Sequence, residues 1–256
     1  MNRIESQFAA LRKAGRKGLV GYLTAGDPDA ATSERDILAA IDGGLDVLEL
    51  GVPFSDPTAD GPVIQEASQR ALAAGMNLPK VLDLVRRVRA ASPIPIVLFG
   101  YTNPFFIYGD ERLCAAAAAA GADGLLAVDM PFEESDELRA HADRHGLCLI
   151  PLVAPTTPPE RAARIAQAAR GFVYYVMVTG VTGARAAVAG DVAAQVAALR
   201  RCTALPIAAG FGVSNGAQAR QAAEAADAVV VGSALVRAAR DGTLAALVRE
   251  LRQALG

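Results

Sequence analysis

Short apolar runs alternate along this chain with segments whose apolar residues recur at helical spacing. The runs are 18–23, 46–50, 95–100, 123–128, 147–153, 172–178, 205–209 and 227–231. Each is bounded by Gly, Pro or Asp and is almost continuously apolar, as strands buried on both faces of a parallel sheet are. Between them, Asp27-Pro28 opens a helix over 29–42 that Gly43-Gly44 stops, and Gly61-Pro62 opens one over 62–74. Further helices are predicted at 78–90, 110–120, 133–145, 159–169, 190–200, 215–225 and 234–254. Residues 2–13 form an amphipathic helix with Ile4, Phe8 and Leu11 on one face.

Eight strands alternating with helices in 256 residues predict an α/β fold, a (β/α)8 barrel built as a single domain over 1–256. The N-terminal helix and a second helix between strands 2 and 3 are additions to it. A doubly wound open sheet is the alternative. Its dinucleotide fingerprint is missing, because Gly210-Phe211-Gly212 is followed by glycine only at 216 and comes late in the chain.

A barrel puts its active site at the C-terminal ends of its strands. Glu49 lies there, inside Val47-Leu48-Glu49-Leu50 and one residue from the end of strand 2. On either face of the strand its carboxylate is buried, and no neighbouring strand offers a cation. Burial raises the pKa of such a group and suits it to acid–base work. The loop that follows, 51–62, is long for a strand–helix connection and carries Asp56 and Asp60. Asp56 reads as an Asp-Pro turn; Asp60 is equally compatible with a helix start and with catalysis. Glycines end the last three strands: Gly180-Val181-Thr182-Gly183, Gly210-Phe211-Gly212 and Gly232-Ser233. Bare N–H groups at the following helix starts, with the Ser233 hydroxyl, form a cradle for phosphate. Tyr22, Phe99, Tyr101, Leu126, Tyr174 and Phe211 supply walls for a flat apolar substrate.

Composition narrows the chemistry. The net charge of −2 leaves no basic patch for nucleic acid. The longest charge-free stretch, 90–109, is broken by Pro93, Pro95 and Pro104, so no membrane span is expected, and no signal peptide is seen. Cys114, Cys148 and Cys202 are far apart and read as small core residues in a reducing cytoplasm. His141 and His145 share a polar helix face without a third ligand, so no metal is expected. The three lysines, Lys13, Lys17 and Lys80, are not placed to form a strand-end imine. Catalysis is left to carboxylates, hydroxyls and backbone.

The run from Leu48 to Pro62, with Glu49, Gly51, Pro53, Asp56, Asp60 and Gly61 in order, resembles the tryptophan synthase α subunit family. The glycine motifs at 180–183, 210–212 and 232–233, Asn103-Pro104 and Asp129-Met130-Pro131 resemble it too, and the likeness covers essentially the whole chain. The segment Val176-Met177-Val178-Thr179 departs from the Ser-Arg that family members often carry before Gly-Val-Thr-Gly. The resemblance implies cleavage of indole-3-glycerol phosphate to indole and D-glyceraldehyde 3-phosphate, with Glu49 and Asp60 as the catalytic carboxylates. It assigns phosphate to Gly183, Gly212, Gly232 and Ser233, and places Tyr174 near the glycerol and Thr182 in the substrate pocket. It also implies a β-subunit partner in an αββα heterotetramer, contacted through the 53–60 loop and neighbouring strand-end loops. That partner holds pyridoxal phosphate; the α chain itself takes no cofactor. The expected chemistry is a retro-aldol cleavage in which Glu49 protonates indole C3 and Asp60 accepts the indole N–H. The alternative is a barrel that only activates the β partner. A barrel of the indole-glycerol-phosphate synthase kind would need a strand-end lysine.

Overall fold

The computed structural model describes residues 2–176, 185–210 and 212–256, with backbone only for 185–192. Nine parallel strands make one sheet: β1 (Gly18–Thr24), β2 (Val47–Gly51), β3 (Ile96–Gly100), β4 (Gly124–Ala127), β5 (Cys148–Leu149), β6 (Leu152–Val153), β7 (Val173–Val176), β8 (Ile207–Gly210) and β9 (Ala228–Val231). The ladder runs β5-β4-β3-β2-β1-β9-β8-β7-β6. Its two ends are one stretch of chain. Cys148–Leu149 pairs with β4, and Leu152–Val153 pairs with β7. The single strand expected over 147–153 is split because Pro151 has no N–H to give. The Pro151 carbonyl still accepts the Tyr174 N–H at 3.0 Å, and Ile150 N–H reaches Leu125 O at 2.8 Å. The eight expected staves therefore close into a (β/α)8 barrel.

Twelve α-helices are described: α1 (Arg3–Lys13), α2 (Ala30–Asp42), α3 (Pro62–Ala73), α4 (Leu78–Ala91), α5 (Thr102–Tyr108), α6 (Asp110–Ala120), α7 (Asp136–Arg144), α8 (Pro159–Ala168), α9 (Arg185–Arg200), α10 (Gly216–Ala223), α11 (Ser233–Arg240) and α12 (Leu244–Ala254). Two depart from the sequence pattern. The helix expected over 234–254 breaks at Asp241-Gly242-Thr243, where Gly242 takes φ +70°. The short helix α5 lies where Asn103-Pro104 reads as a loop in the sequence. Pro104 falls in its first turn, where a missing N–H costs no intrahelical bond. Thr102 donates both its N–H (2.7 Å) and its hydroxyl (2.9 Å) to Asp129 Oδ1 from the next loop.

Alternation divides the core in two. Val20, Val47, Val97, Leu126, Ala208 and Val230 fill the barrel interior, whereas Leu48, Leu50, Ile96, Leu98 and Val229 pack outward under the helices. Ile4, Phe8 and Leu11 of α1 plug the N-terminal end of the interior, with Phe8 5.5 Å from Phe172. Asn2 caps that helix by accepting Ile4 N–H, while its own N–H reaches Glu5. A Cβ at Gly124 would lie 2.8 Å from Cys148 O, so this point of β4 carries no side chain.

Three buried or half-buried aspartates stand one residue before β2, β4 and β9 at the same end. Asp46 accepts Leu19 N–H (2.8 Å), Asp123 accepts Ile96 N–H (2.9 Å) and Asp227 accepts Ile207 N–H (2.8 Å). Each also meets arginine. Asp46 pairs with Arg252, Asp123 with Arg89 (2.8 Å) and Arg3 (3.0 Å), and Asp227 with Arg200 (2.7 Å). Each carboxylate thus ties one strand start to its neighbour and neutralises its own charge.

Candidate active site

At the opposite end, Glu49 sits in β2 beside Tyr22 of β1 and Val97 of β3 in register. Its interior position follows from alternation with Leu48 and Leu50. Glu49 is 1% exposed, and its Oε1 meets no hydrogen-bond partner among the described residues. Burial alone pushes its pKa up to about 8. At neutral pH the group is therefore largely protonated, ready to give up a proton.

Asp60 reaches the same pocket from the loop between β2 and α3. Tyr101 Oη donates to Asp60 Oδ2 at 2.9 Å and accepts Ala59 N–H at 3.0 Å. Phe54 packs on the Tyr101 ring at 5.3 Å. Burial raises the Asp60 pKa above the usual aspartate value, and the Tyr101 hydrogen bond opposes that shift. The sequence pattern assigned Tyr101 to an apolar wall; in the fold its hydroxyl is the working end, fastening the loop to β3.

Tyr22 stands edge-on to Phe99 at 5.2 Å, and its hydroxyl accepts from Thr24 Oγ1 at 3.4 Å. Gly51 is required beside it, since a Cβ there would fall 2.2 Å from Tyr22 Oη. Burial raises the Tyr22 and Tyr174 pKa values well above 10, and both phenols also feel the charges of Glu49 and Asp60. The two tyrosines and two carboxylates therefore share one electrostatic environment. Leu126 pairs in register with Phe99 and is fully buried. Tyr174 Oη leans over the end of β8, 2.9 Å from where a Gly210 Cβ would be.

Of the strand-end glycines expected to hold phosphate, Gly212 and Gly232 lie among the described residues. Gly212 has φ +65°. Gly232 precedes α11, and among the described residues no side chain caps that helix start. The positive end of the helix dipole lies there. Ile64 of α3 lies 3.7 Å from the Cβ position of Gly232 and joins the two halves of the site. Thr182, Gly183 and Phe211 lie outside the described residues, as do Met177, Val178 and Thr179 of the departing segment.

The lysines lie elsewhere. Lys17 Nζ donates to Ala226 O at the N-terminal end of the barrel, Lys80 Nζ donates to Gly75 O, and Lys13 ends α1. Two features escaped the sequence pattern. Gln65 of α3 donates to the carbonyl of Asp60 at 2.9 Å; its signal was only a polar residue in the first turns after Gly61-Pro62. Phe106 and Ile107 of α5 are 74% and 73% exposed, hidden from sequence reading with the helix that presents them. Among the described residues, no helix is long and apolar enough to cross a membrane.

Comparison with known proteins places this geometry. The family model for the tryptophan synthase alpha chain matches residues 8–254. The tryptophan synthase alpha chain of Geobacter sulfurreducens is 54% identical over 263 aligned positions, covering all of both chains. That of Laribacter hongkongensis is 51% identical, covering 100% of this chain and 99% of its own. Among solved structures, tryptophan synthase subunit alpha from Legionella pneumophila superposes with a TM-score of 0.92 at 38% identity, covering 100% of this chain and 98% of that one. Tryptophan synthase from M. tuberculosis in its aminoacrylate- and BRD0059-bound form does so with a TM-score of 0.92 at 35% identity, covering 99% and 98%. A carboxyl-bearing barrel matched end to end in this way belongs to the tryptophan synthase α chain family.

Proposed function

We propose that this chain is a carbon–carbon lyase that performs the α reaction of tryptophan synthase, cleaving indole-3-glycerol phosphate to indole and D-glyceraldehyde 3-phosphate. The observation that carries this reading is Glu49: a buried carboxyl with an oxygen unpaired among the described residues and a pKa pushed up to about 8, at the strand ends of a barrel. Protonated Glu49 gives its proton to indole C3, which turns the ring into an electron sink. The bond from C3 to the glycerol carbon breaks as the Glu49 carboxylate takes the proton of the adjacent hydroxyl. The electron pair of the broken bond returns to the ring, giving indole and an aldehyde, and Glu49 ends protonated as it began. Asp60, held by Tyr101, accepts the indole N–H and stabilises the positive charge that develops there. Tyr22, Phe99 and Leu126 face the ring, Tyr174 faces the glycerol, and Gly212, Gly232 and Ser233 hold the phosphate. Thr182, Gly183 and Phe211 complete the pocket on the sequence reading alone.

The partner is a β subunit in an αββα assembly, and pyridoxal phosphate belongs to that partner. Phe106 and Ile107 supply exposed apolar docking area on α5, the helix that starts after Tyr101, whose hydroxyl bonds the 53–60 loop. The three unpaired cysteines fit a reducing cytoplasm. The test is indole release from indole-3-glycerol phosphate by the isolated chain, with and without a β subunit. Release by the isolated chain supports catalysis. No release in either condition would leave only the activator reading.

A further inference from the structure

We infer that Gln65 is a positioning residue for the α reaction, acting through the main chain of Asp60. The inference rests on Asp60 being the catalytic acceptor of the indole N–H. Asp60 sits at the end of a loop, where a side chain is held only as well as its backbone is. Its carboxylate is fixed by Tyr101 Oη at 2.9 Å, but that bond alone leaves the peptide free to pivot. The Gln65 side chain closes the second point. Its Nε2 donates to Asp60 O at 2.9 Å and leans on Pro57 O at 3.5 Å. Pro57 O is also the acceptor of Asp60 N–H, at 3.1 Å. Both Gln65 partners are carbonyl oxygens, so only the NH2 side of the amide can face them.

The base of this clamp is rigid. Gln65 N–H is tied to Gly61 O at 3.0 Å in the first turn of α3. Further along the helix Arg70 grips Asp27 with two hydrogen bonds, at 2.7 and 2.9 Å. The loop carrying Asp60 is thus pinned to α3 on one side and to β3, through Tyr101, on the other. Among the described residues the Gln65 side chain hydrogen-bonds only Asp60 O and Pro57 O, so its loss is expected to move Asp60 without removing a substrate contact.

The test is a double-mutant cycle with substrate saturation curves, using Gln65→Met, which keeps length and cannot donate. The expected result is a kcat about tenfold lower, since a displacement of about 1 Å can cost as much or more. KM stays within about twofold, because uniform binding is untouched. Combined with Asp60→Asn, Gln65→Met should add no further loss, because the group it positions is already disabled. A Gln65→Met rate within about twofold of the parent, or a loss that adds in full on Asp60→Asn, overturns the inference. Should that variant not fold, Gln65→Glu carries the same question. Its rate relative to the parent should rise as pH falls and the new carboxyl regains a donor proton; a flat ratio overturns the inference. An unchanged rate in Asp60→Asn alone would remove the reading beneath it, and shows in a variant that leaves Gln65 intact.

Discussion

The two ends of the barrel treat buried carboxyl groups in opposite ways. At the N-terminal end Asp46, Asp123 and Asp227 each accept a strand N–H and meet an arginine. At the C-terminal end Glu49 is as deeply buried as Asp123, yet no arginine or backbone N–H is placed on its free oxygen among the described residues. A buried carboxylate that is hydrogen-bonded and paired braces the strands around it. One left without such partners stays protonated near neutral pH and stores reactivity. The lesson is that burial alone does not lift a carboxyl into the range of acid–base work; burial without a partner does.

The sharpest way to break this contrast is at its reactive pole. Glu49→Gln keeps the shape and removes the transferable proton, so cleavage should fall by about 10²- to 10⁴-fold while substrate still binds. Single-turnover indole release beside a binding isotherm measures both. At the bracing pole, Asp123→Ala strands Arg89 and Ile96 N–H in a buried place. Urea unfolding should show a loss of about 3–5 kcal/mol, with turnover per folded molecule unchanged. Equal effects on stability and activity in either variant would erase the distinction between the two ends.

Two smaller effects follow from protonation. In the proposed reaction Glu49 works from its protonated form and Asp60 from its ionised form. The rate should therefore fall as pH rises through about 8, where Glu49 loses its proton. It should also fall on the acid side, as pH drops through the raised pKa of Asp60. Stability carries the same sign. The folded state holds the Glu49 proton up to about pH 8, whereas an unfolded glutamate, near 4.5, has already lost it. The parent should therefore lose more stability than Glu49→Gln between these values as pH rises. The melting-temperature difference between the two should favour the variant at pH 9 and fade by pH 5, at roughly 2–4 °C per kcal/mol. The mildest change is expected from Phe106→Asp, which should weaken stimulation by the β subunit and leave the basal rate of the isolated chain within about twofold.

Much of this architecture is legible in the chain itself. Continuous apolar runs bounded by glycine and proline locate the staves, because a strand covered on both faces tolerates few polar residues. Glu49 stands out for the same reason, as a charge within such a run. The fifth stave looked like one strand because its apolar pattern crosses Pro151 unbroken; the missing N–H shows only when its neighbours are known. Helix α5 was hidden because a proline in a first turn and a proline in a loop look alike in sequence. The aspartates ahead of β2, β4 and β9 read as strand punctuation, and only the fold pairs them with Arg252, Arg89 and Arg200 from distant helices.

The sequence by itself determined the repeating strand–helix order, the strand-end position of Glu49, and the residue types available for the proposed chemistry. These follow from local periodicity and from which side chains occur at strand ends. Only the tertiary structure decided which of the buried carboxylates would be neutralised, and which hydroxyl and amide would hold Asp60. Those outcomes depend on contacts between residues far apart in the chain, such as Tyr101 with Asp60 and Arg252 with Asp46. No periodicity along one strand or helix encodes them.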